Sequence, residues 1–226
     1  MARFFINKLP IALLLSATSF GAFAADFSTY GSLGTQGVGA GVSIPVNERS
    51  AVRLEMNGIS FDKDFAEDAI DYEGKIKNKS IGALFDWHVM PESPFRITAG
   101  LVFNDGGLEA TGTTTAGGSY TLGGTTVSAG VGERIKAKAD FNKISPYLGI
   151  GWSKTARNGK GFSFFGDVGA FYAKPDVSLE LSPGLSSAVN AADPGAVERE
   201  RDKVQDRADK LKWYPVLRVG IRYTFD

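Results

Sequence analysis

The final segment of the chain alternates without a slip. Leu217, Val219, Ile221, Tyr223 and Phe225 fall on one face of an extended backbone, and Val216, Arg218, Gly220, Arg222 and Thr224 on the other. Successive strand side chains point to opposite faces, so apolar positions exchanging with polar or small ones at period two specify a two-faced strand. The pattern recurs in Phe95, Ile97, Ala99, Leu101 and Phe103 against Arg96, Thr98, Gly100, Val102 and Asn104. It returns in Ile81, Ala83, Phe85, Trp87 and Val89 against Gly82, Leu84, Asp86 and His88, and in Val52, Leu54 and Met56 against Arg53, Glu55 and Asn57. Val38, Ala40, Val42 and Ile44 alternate with Gly37, Gly39, Gly41 and Ser43, and Leu148, Ile150 and Trp152 with Tyr147, Gly149, Gly151 and Ser153. Such a chain is all-β.

A soluble sandwich also alternates, with its charges facing water, so the pattern alone leaves two architectures open. A membrane barrel turns its apolar face to lipid and keeps its interior polar. Trp87, Phe95, Trp152, Phe162, Trp213, Tyr223 and Phe225 lie near strand ends, as interfacial girdles require. Short turns at 45–50, 90–94 and 155–161 also alternate with long polar connections, the pattern of periplasmic turns and outer loops. The spacing therefore predicts a closed antiparallel eight-stranded transmembrane β-barrel, with strands at about 26–33, 37–45, 50–61, 70–90, 94–112, 133–154, 161–181 and 211–225. Its outer loops are expected at about 62–69, 112–132 and 182–210. The second should hold a small hairpin around Gly123 and Gly124. The third should hold one short helix opened by Asp193 and Pro194, with an apolar stripe of Val197, Val204, Ala208 and Leu211.

The amino terminus agrees with that location. Arg3 and Lys8 precede an apolar stretch from Ile11 to Phe23, and Ala22-Phe23-Ala24 is a small-x-small cleavage site, so residues 1–24 read as a secretory signal peptide and 25–226 as the barrel. No later run approaches 18 uninterrupted apolar residues, so no helical span is expected. The 226 residues include no cysteine and one histidine, which excludes disulfide scaffolds and thiolate metal sites; no cofactor or metal is expected. Twenty-five basic residues balance 25 acidic ones, which gives no overall electrostatic case for nucleic acid.

Two groups of charged residues stand out. Arg53, Glu55, Asp86, Arg96, Asp167, Arg218 and Arg222 share the inward parity, with Tyr147, Phe165 and Phe171. An eight-stranded barrel is just wide enough for side chains to fill, so these charges are expected either to pair across the lumen and close it or to line a narrow polar path. Asp62, Asp64, Glu67, Asp68, Asp71 and Glu73 cluster in and beside the 62–69 connection, an acidic mouth able to concentrate cations or else a merely solvated loop. Lys75, Lys77 and Lys79 follow at period two and suit lipopolysaccharide phosphates. His88 lies on the face of Asp86, but no serine-centred motif accompanies the pair, and no catalytic residue is assigned.

Ser145-Pro-Tyr-Leu-Gly-Ile-Gly-Trp152, Gly166-Asp-Val-Gly-Ala-Phe-Tyr172 with Lys174-Pro-Asp-Val-Ser-Leu179, and Trp213-Tyr-Pro-Val-Leu-Arg-Val-Gly220 resemble the carbapenem-associated outer-membrane protein (CarO) family, as does Gly34-Thr-Gln-Gly37. The resemblance implies a bacterial outer-membrane barrel proposed to admit small amino acids, notably ornithine and other basic ones. One departure is Asp226 after Phe225, where such barrels end on the aromatic. The expected function is passive, non-enzymatic uptake of small hydrophilic solutes. The rivals are a closed structural or surface-interaction barrel and, further off, a lipid-modifying enzyme. Expected partners are outer-membrane lipid and lipopolysaccharide, small amino acids, and the barrel assembly machinery acting on the C-terminal strand of a monomer.

Overall fold

The computed structural model describes residues 27–67, 70–91, 93–153 and 160–225. The signal peptide, Asp68, Asp226 and most of the 155–161 turn lie outside them. The described residues form twelve strands: β1 (Ser28–Gly34), β2 (Gly37–Asn47), β3 (Ser50–Glu67), β4 (Ile70–His88), β5 (Phe95–Thr114), β6 (Gly118–Leu122), β7 (Thr125–Ala129), β8 (Arg134–Phe141), β9 (Ile144–Ser153), β10 (Gly161–Tyr172), β11 (Pro175–Leu181) and β12 (Trp213–Thr224). Helices α1 (Pro183–Ala192) and α2 (Ala196–Ala208) precede β12.

Ten strands make the eight staves of one ring. β8 and β9 share a stave, pairing with the upper and lower halves of β5, and β10 and β11 share the next. The ring closes where β1 meets β12, from Ser28↔Thr224 to Gly34↔Arg218, so the barrel has no free edge at this seam. The fold is the expected all-β barrel with long outer strands.

Side-chain parity sorts the staves by solvent. Val52, Leu54, Ile81, Phe85, Ile97, Leu101, Leu148, Ile150, Val219 and Ile221 stand exposed on the outside, a belt suited to lipid. Aromatic rings gather at its lower margin: Phe27 stacks on Phe225 with centroids 4.6 Å apart, and Tyr223 meets Phe162 at 4.9 Å and Phe225 at 4.7 Å.

Above the belt the outer face turns charged. The 62–69 stretch, expected as a loop, is strand almost throughout: β3 continues to Glu67 and β4 resumes at Ile70. Asp62 faces Lys75 across the ladder and Asp64 faces Glu73, whose charge Lys75 offsets, while Phe61↔Ile76 joins apolar side chains on the opposite face.

The outer connections build a cap. β6 and β7 form the expected hairpin, turning through Gly123 (φ +56°) and Gly124 (φ +90°), which together suit the type of turn that matches strand twist. The 182–210 segment holds two helices rather than one. α2 begins at Ala196, just after Asp193, whose carboxylate accepts the Gly195 N–H (3.1 Å). The unexpected α1 carries no capping side chain of its own; Glu133, immediately before β8, accepts the Leu185 N–H (3.0 Å) and the Ser182 hydroxyl. Tyr120, Leu122, Val127 and Ala129 of the hairpin pack on Leu185, Val189 and Ala196, giving the cap its own apolar core.

Beyond Trp213, where β12 begins, β11 has no strand on that side. Gln205 of α2 fills the gap: its Oε1 accepts the Val177 N–H (2.8 Å) and its Nε2 donates to the Pro175 carbonyl (2.9 Å), as a neighbouring strand's peptide group does.

Gly220 tests how tightly the wall is packed. A Cβ there would sit 2.3 Å from the Gly31 carbonyl oxygen and 2.4 Å from the Phe165 ring, so Gly220→Val is expected to destabilise the barrel by about 3 kcal/mol or more. Urea unfolding in lipid vesicles, read by loss of the compact gel mobility, checks this; an unchanged midpoint refutes the packing account.

Candidate functional site

The inward parity of the staves converges on one layer of charge. Arg53 and Asp86 come from β3 and β4, Arg96 from β5, Asp167 from β10 and Arg218 from β12. Arg53, Arg96 and Asp167 are 0, 1 and 2% exposed. Asp167 is the hub. Its Oδ2 accepts from Arg53 Nη1 at 3.0 Å and from Arg218 Nε and Nη2 at 3.1 and 2.8 Å, and its Oδ1 pairs with Arg96. Asp86 lies 2.7 Å from Arg53 Nε and 3.3 Å from Arg96 Nε, and accepts the Thr98 hydroxyl at 2.7 Å. Glu55 pairs with Arg218 and accepts from the Tyr30 hydroxyl (2.8 Å) and Asn57 Nδ2 (3.3 Å). The Arg222 guanidinium sits over the rings of Tyr30 and Phe165, 5.9 and 5.8 Å from their centroids.

Each buried carboxylate thus meets at least one guanidinium and one further donor, the condition under which charge is tolerated away from water. Small neighbours make the room: a Cβ on Gly151 would lie 2.3 Å from Asp167 Oδ1 and 2.9 Å from Arg96 Cζ. A second layer, of apolar and aromatic side chains, crosses the lumen beside the charges. Leu84, Val102, Tyr147, Phe171, Ala173 and Val216 pack together there, and Phe171 stacks on Tyr214 at 4.8 Å.

Parity alone misses several participants. Tyr30 joins the network as a donor, and β1 offers too few large apolar residues to make its inward direction obvious in advance; parity puts Thr98 on the face of Arg96 but does not mark it as a donor to Asp86. His88 is buried, but its Nδ1 lies 3.3 Å from the Arg49 carbonyl and Asp86 is engaged by Arg53, Arg96 and Thr98, so the two form no relay. Among the described residues no group of three His, Cys, Asp or Glu could hold a metal ion.

The acidic residues do not converge on the lumen. Asp62, Asp64, Asp71 and Glu73 alternate with the inward-facing positions and turn outward; Glu67 ends β3, and Asp68 lies outside the described residues. Basic residues share their face: Lys75 pairs with Glu73 (2.6 Å), Lys136 with Glu109 (2.7 Å) and Lys138 with Glu180 (2.7 Å). Hydrogen bonds from Lys136 and Lys138 hold the Glu109 and Glu180 carboxyls below their usual range. In the cap, Arg199, Thr125 and the Gly195 N–H do the same for Asp193.

No protein-family profile and no curated protein matches the sequence. Solved structures do. The crystal structure of Acinetobacter baumannii CarO2 aligns over 89% of this chain and 99% of its own, at 23% identity and a TM-score of 0.61. That of Acinetobacter baumannii CarO aligns over 88% and 97%, at 26% identity and a TM-score of 0.56. A major outer membrane protein of Thermus thermophilus aligns at a TM-score of 0.43 and 16% identity, over 90% and 100% of the two chains.

The buried and the exposed charges should respond differently to mutation and to pH. Removing the hub's charge by Asp167→Ala leaves three buried arginines short of a partner and is expected to destabilise folding by about 3–5 kcal/mol, whereas Lys138→Ala on the exposed rim leaves the urea midpoint unchanged. Asp193 has a lowered folded-state pKa, so its contribution is present above the ordinary carboxylate range and is lost as pH falls through the lowered value. Hydrogen-exchange protection of the Gly195 amide should therefore persist at pH 5 and fall away only below about pH 4.

Proposed function

From the premise that this chain is a CarO-like eight-stranded barrel of the bacterial outer membrane, we propose that it works as a closed scaffold whose contacts are made by its outer cap and charged rim. The observation that carries this reading is the hub at Asp167. Three arginines from three other staves meet one carboxylate, in a barrel only wide enough for its own side chains. A passing solute would have to displace these buried pairs.

The rim supplies the outward partners. Lys77 and Lys79 follow directly above the lipid belt on β4 and suit lipopolysaccharide phosphates. β12 completes the ring against β1, so the assembly machinery would act on this C-terminal strand, and a monomer suffices because the chain closes on itself.

A second reading is passive uptake of small hydrophilic solutes, basic amino acids such as ornithine among them. The mixed lining favours it, because it offers Glu55 and Asp167 to an amino acid's ammonium and Arg53 and Arg218 to its carboxylate. The acidic stretch adds little as a funnel, since its acids turn to the outer face, where Lys75 pairs with Glu73 and faces Asp62.

Planar bilayer recording and radiolabelled ornithine entry into proteoliposomes separate the two. The closed reading expects no resolved conductance and no flux above empty liposomes, with leak appearing in Asp167→Ala. Steady ornithine flux through the native protein overturns it in favour of uptake.

A further inference from the structure

The inward face changes character above the lipid belt. In β3 the inward parity runs Arg53, Glu55 and Asn57 and then reaches Phe61; in β4 it passes from Asp86, Ser80 and Asn78 to Ile76; in β5 from Arg96, Thr98 and Asn104 to Leu108. Register places these apolar residues on one rung, Phe61↔Ile76↔Leu108↔Ala139↔Val177, across five neighbouring strands. The next rung outward, Lys63↔Gly74↔Ala110↔Ala137↔Leu179, is small between its lysine and its leucine. Val204 and Ala208 of α2 complete a groove of about 350 Å³ over these rungs. Phe61, Ile76 and Leu108 remain 46, 38 and 43% exposed, although nearby Val177 is buried. That volume is within the range of small-molecule sites, roughly 300–1,000 Å³, and an apolar lining in water calls for an occupant.

Charge narrows the occupant. Four charged residues border the groove. Lys75, Glu109 and Lys138 are paired with Glu73, Lys136 and Glu180. Lys63, on the inward parity, makes no ion pair among the described residues. One cation at the mouth of an apolar groove matches one anionic head on an apolar chain. The barrel wall narrows the source. Its outer face at this height carries Asp62, Glu73, Lys75, Glu109 and Lys138, so chains of bilayer-anchored lipids meet a charged barrier, whereas a single-chain amphiphile arriving from the medium does not. The groove is blind inward: Phe141, one rung below Ala139, packs edge-on against Tyr214 with centroids 6.4 Å apart and joins the apolar layer across the lumen.

We infer that the groove between the inner face of the outer rim and α2 binds a free long-chain fatty acid, its chain along Phe61, Ile76 and Leu108 and its carboxylate on Lys63. The site stands apart from the lumen and holds whether or not the barrel conducts.

The full-length protein in nanodiscs, irradiated with diazirine-bearing palmitate and mapped by mass spectrometry, tests it. Label is expected on the segments around Phe61, Leu108 and Ala137, displaced by palmitate more strongly than by hexadecanol. Lys63→Glu should cut labelling by about fivefold, and Lys63→Gln by less, because an exposed ion pair is worth up to about 1 kcal/mol. Ala137→Phe should abolish it by filling the groove. Compact gel mobility of each variant reports folding separately. Label confined to belt residues such as Phe85 and Leu148, or unchanged in Lys63→Glu and Ala137→Phe variants that fold, overturns the site; equal displacement by hexadecanol overturns the role of Lys63.

Discussion

Hydrocarbon offers no partner to an unpaired peptide group, and from that single constraint most of the molecule follows. The chain must return to its own first strand, which it does where β12 joins β1. Closing eight staves fixes a lumen no wider than the side chains that point into it. Polar groups turned inward then have to satisfy one another, so the carboxylates of Glu55, Asp86 and Asp167 and the guanidiniums of Arg53, Arg96 and Arg218 become a single network. The charge layer is thus a consequence of closure, and its strength comes from completeness: each member is costly once its partners are removed.

The same chain obeys a different solvent above the lipid. There the arrangement reverts to that of a soluble sheet, with charge outside at Asp62 and Lys75 and apolar side chains inside at Phe61 and Ile76. α2 covers this inner face in part and also completes the hydrogen bonding of β11 through Gln205. A single strand such as β3 therefore carries two opposite amphipathic patterns end to end.

That reversal marks where reading the sequence succeeded and where it stopped. Period two placed most staves, because the belt positions are large and apolar and their neighbours are glycine or charged; the first, poor in large apolar residues, rested on the even strand number a closed barrel needs. It stopped at 62–69 because a run of acids looks like a loop when only apolar residues are counted, although Phe61, Tyr72 and Ile76 keep the alternation alive on the other parity. The inward charges were legible by phase, but their pairings were not, since Asp167 and Arg53 are 114 residues apart. α1 escaped notice although Ser182 at the N-cap and Pro183 in the first turn are a start signal; the side chain that caps it, Glu133, is supplied from another part of the chain.

The cap keeps its own apolar core, formed by Tyr120, Leu122, Val127, Leu185 and Val189, separate from the one that Leu84, Phe171 and Val216 make inside the barrel. Energies at sites that share no neighbours add nearly independently. The surface this protein shows to the outside world can therefore be rewritten, residue by residue, while its anchor in the membrane stays as it is.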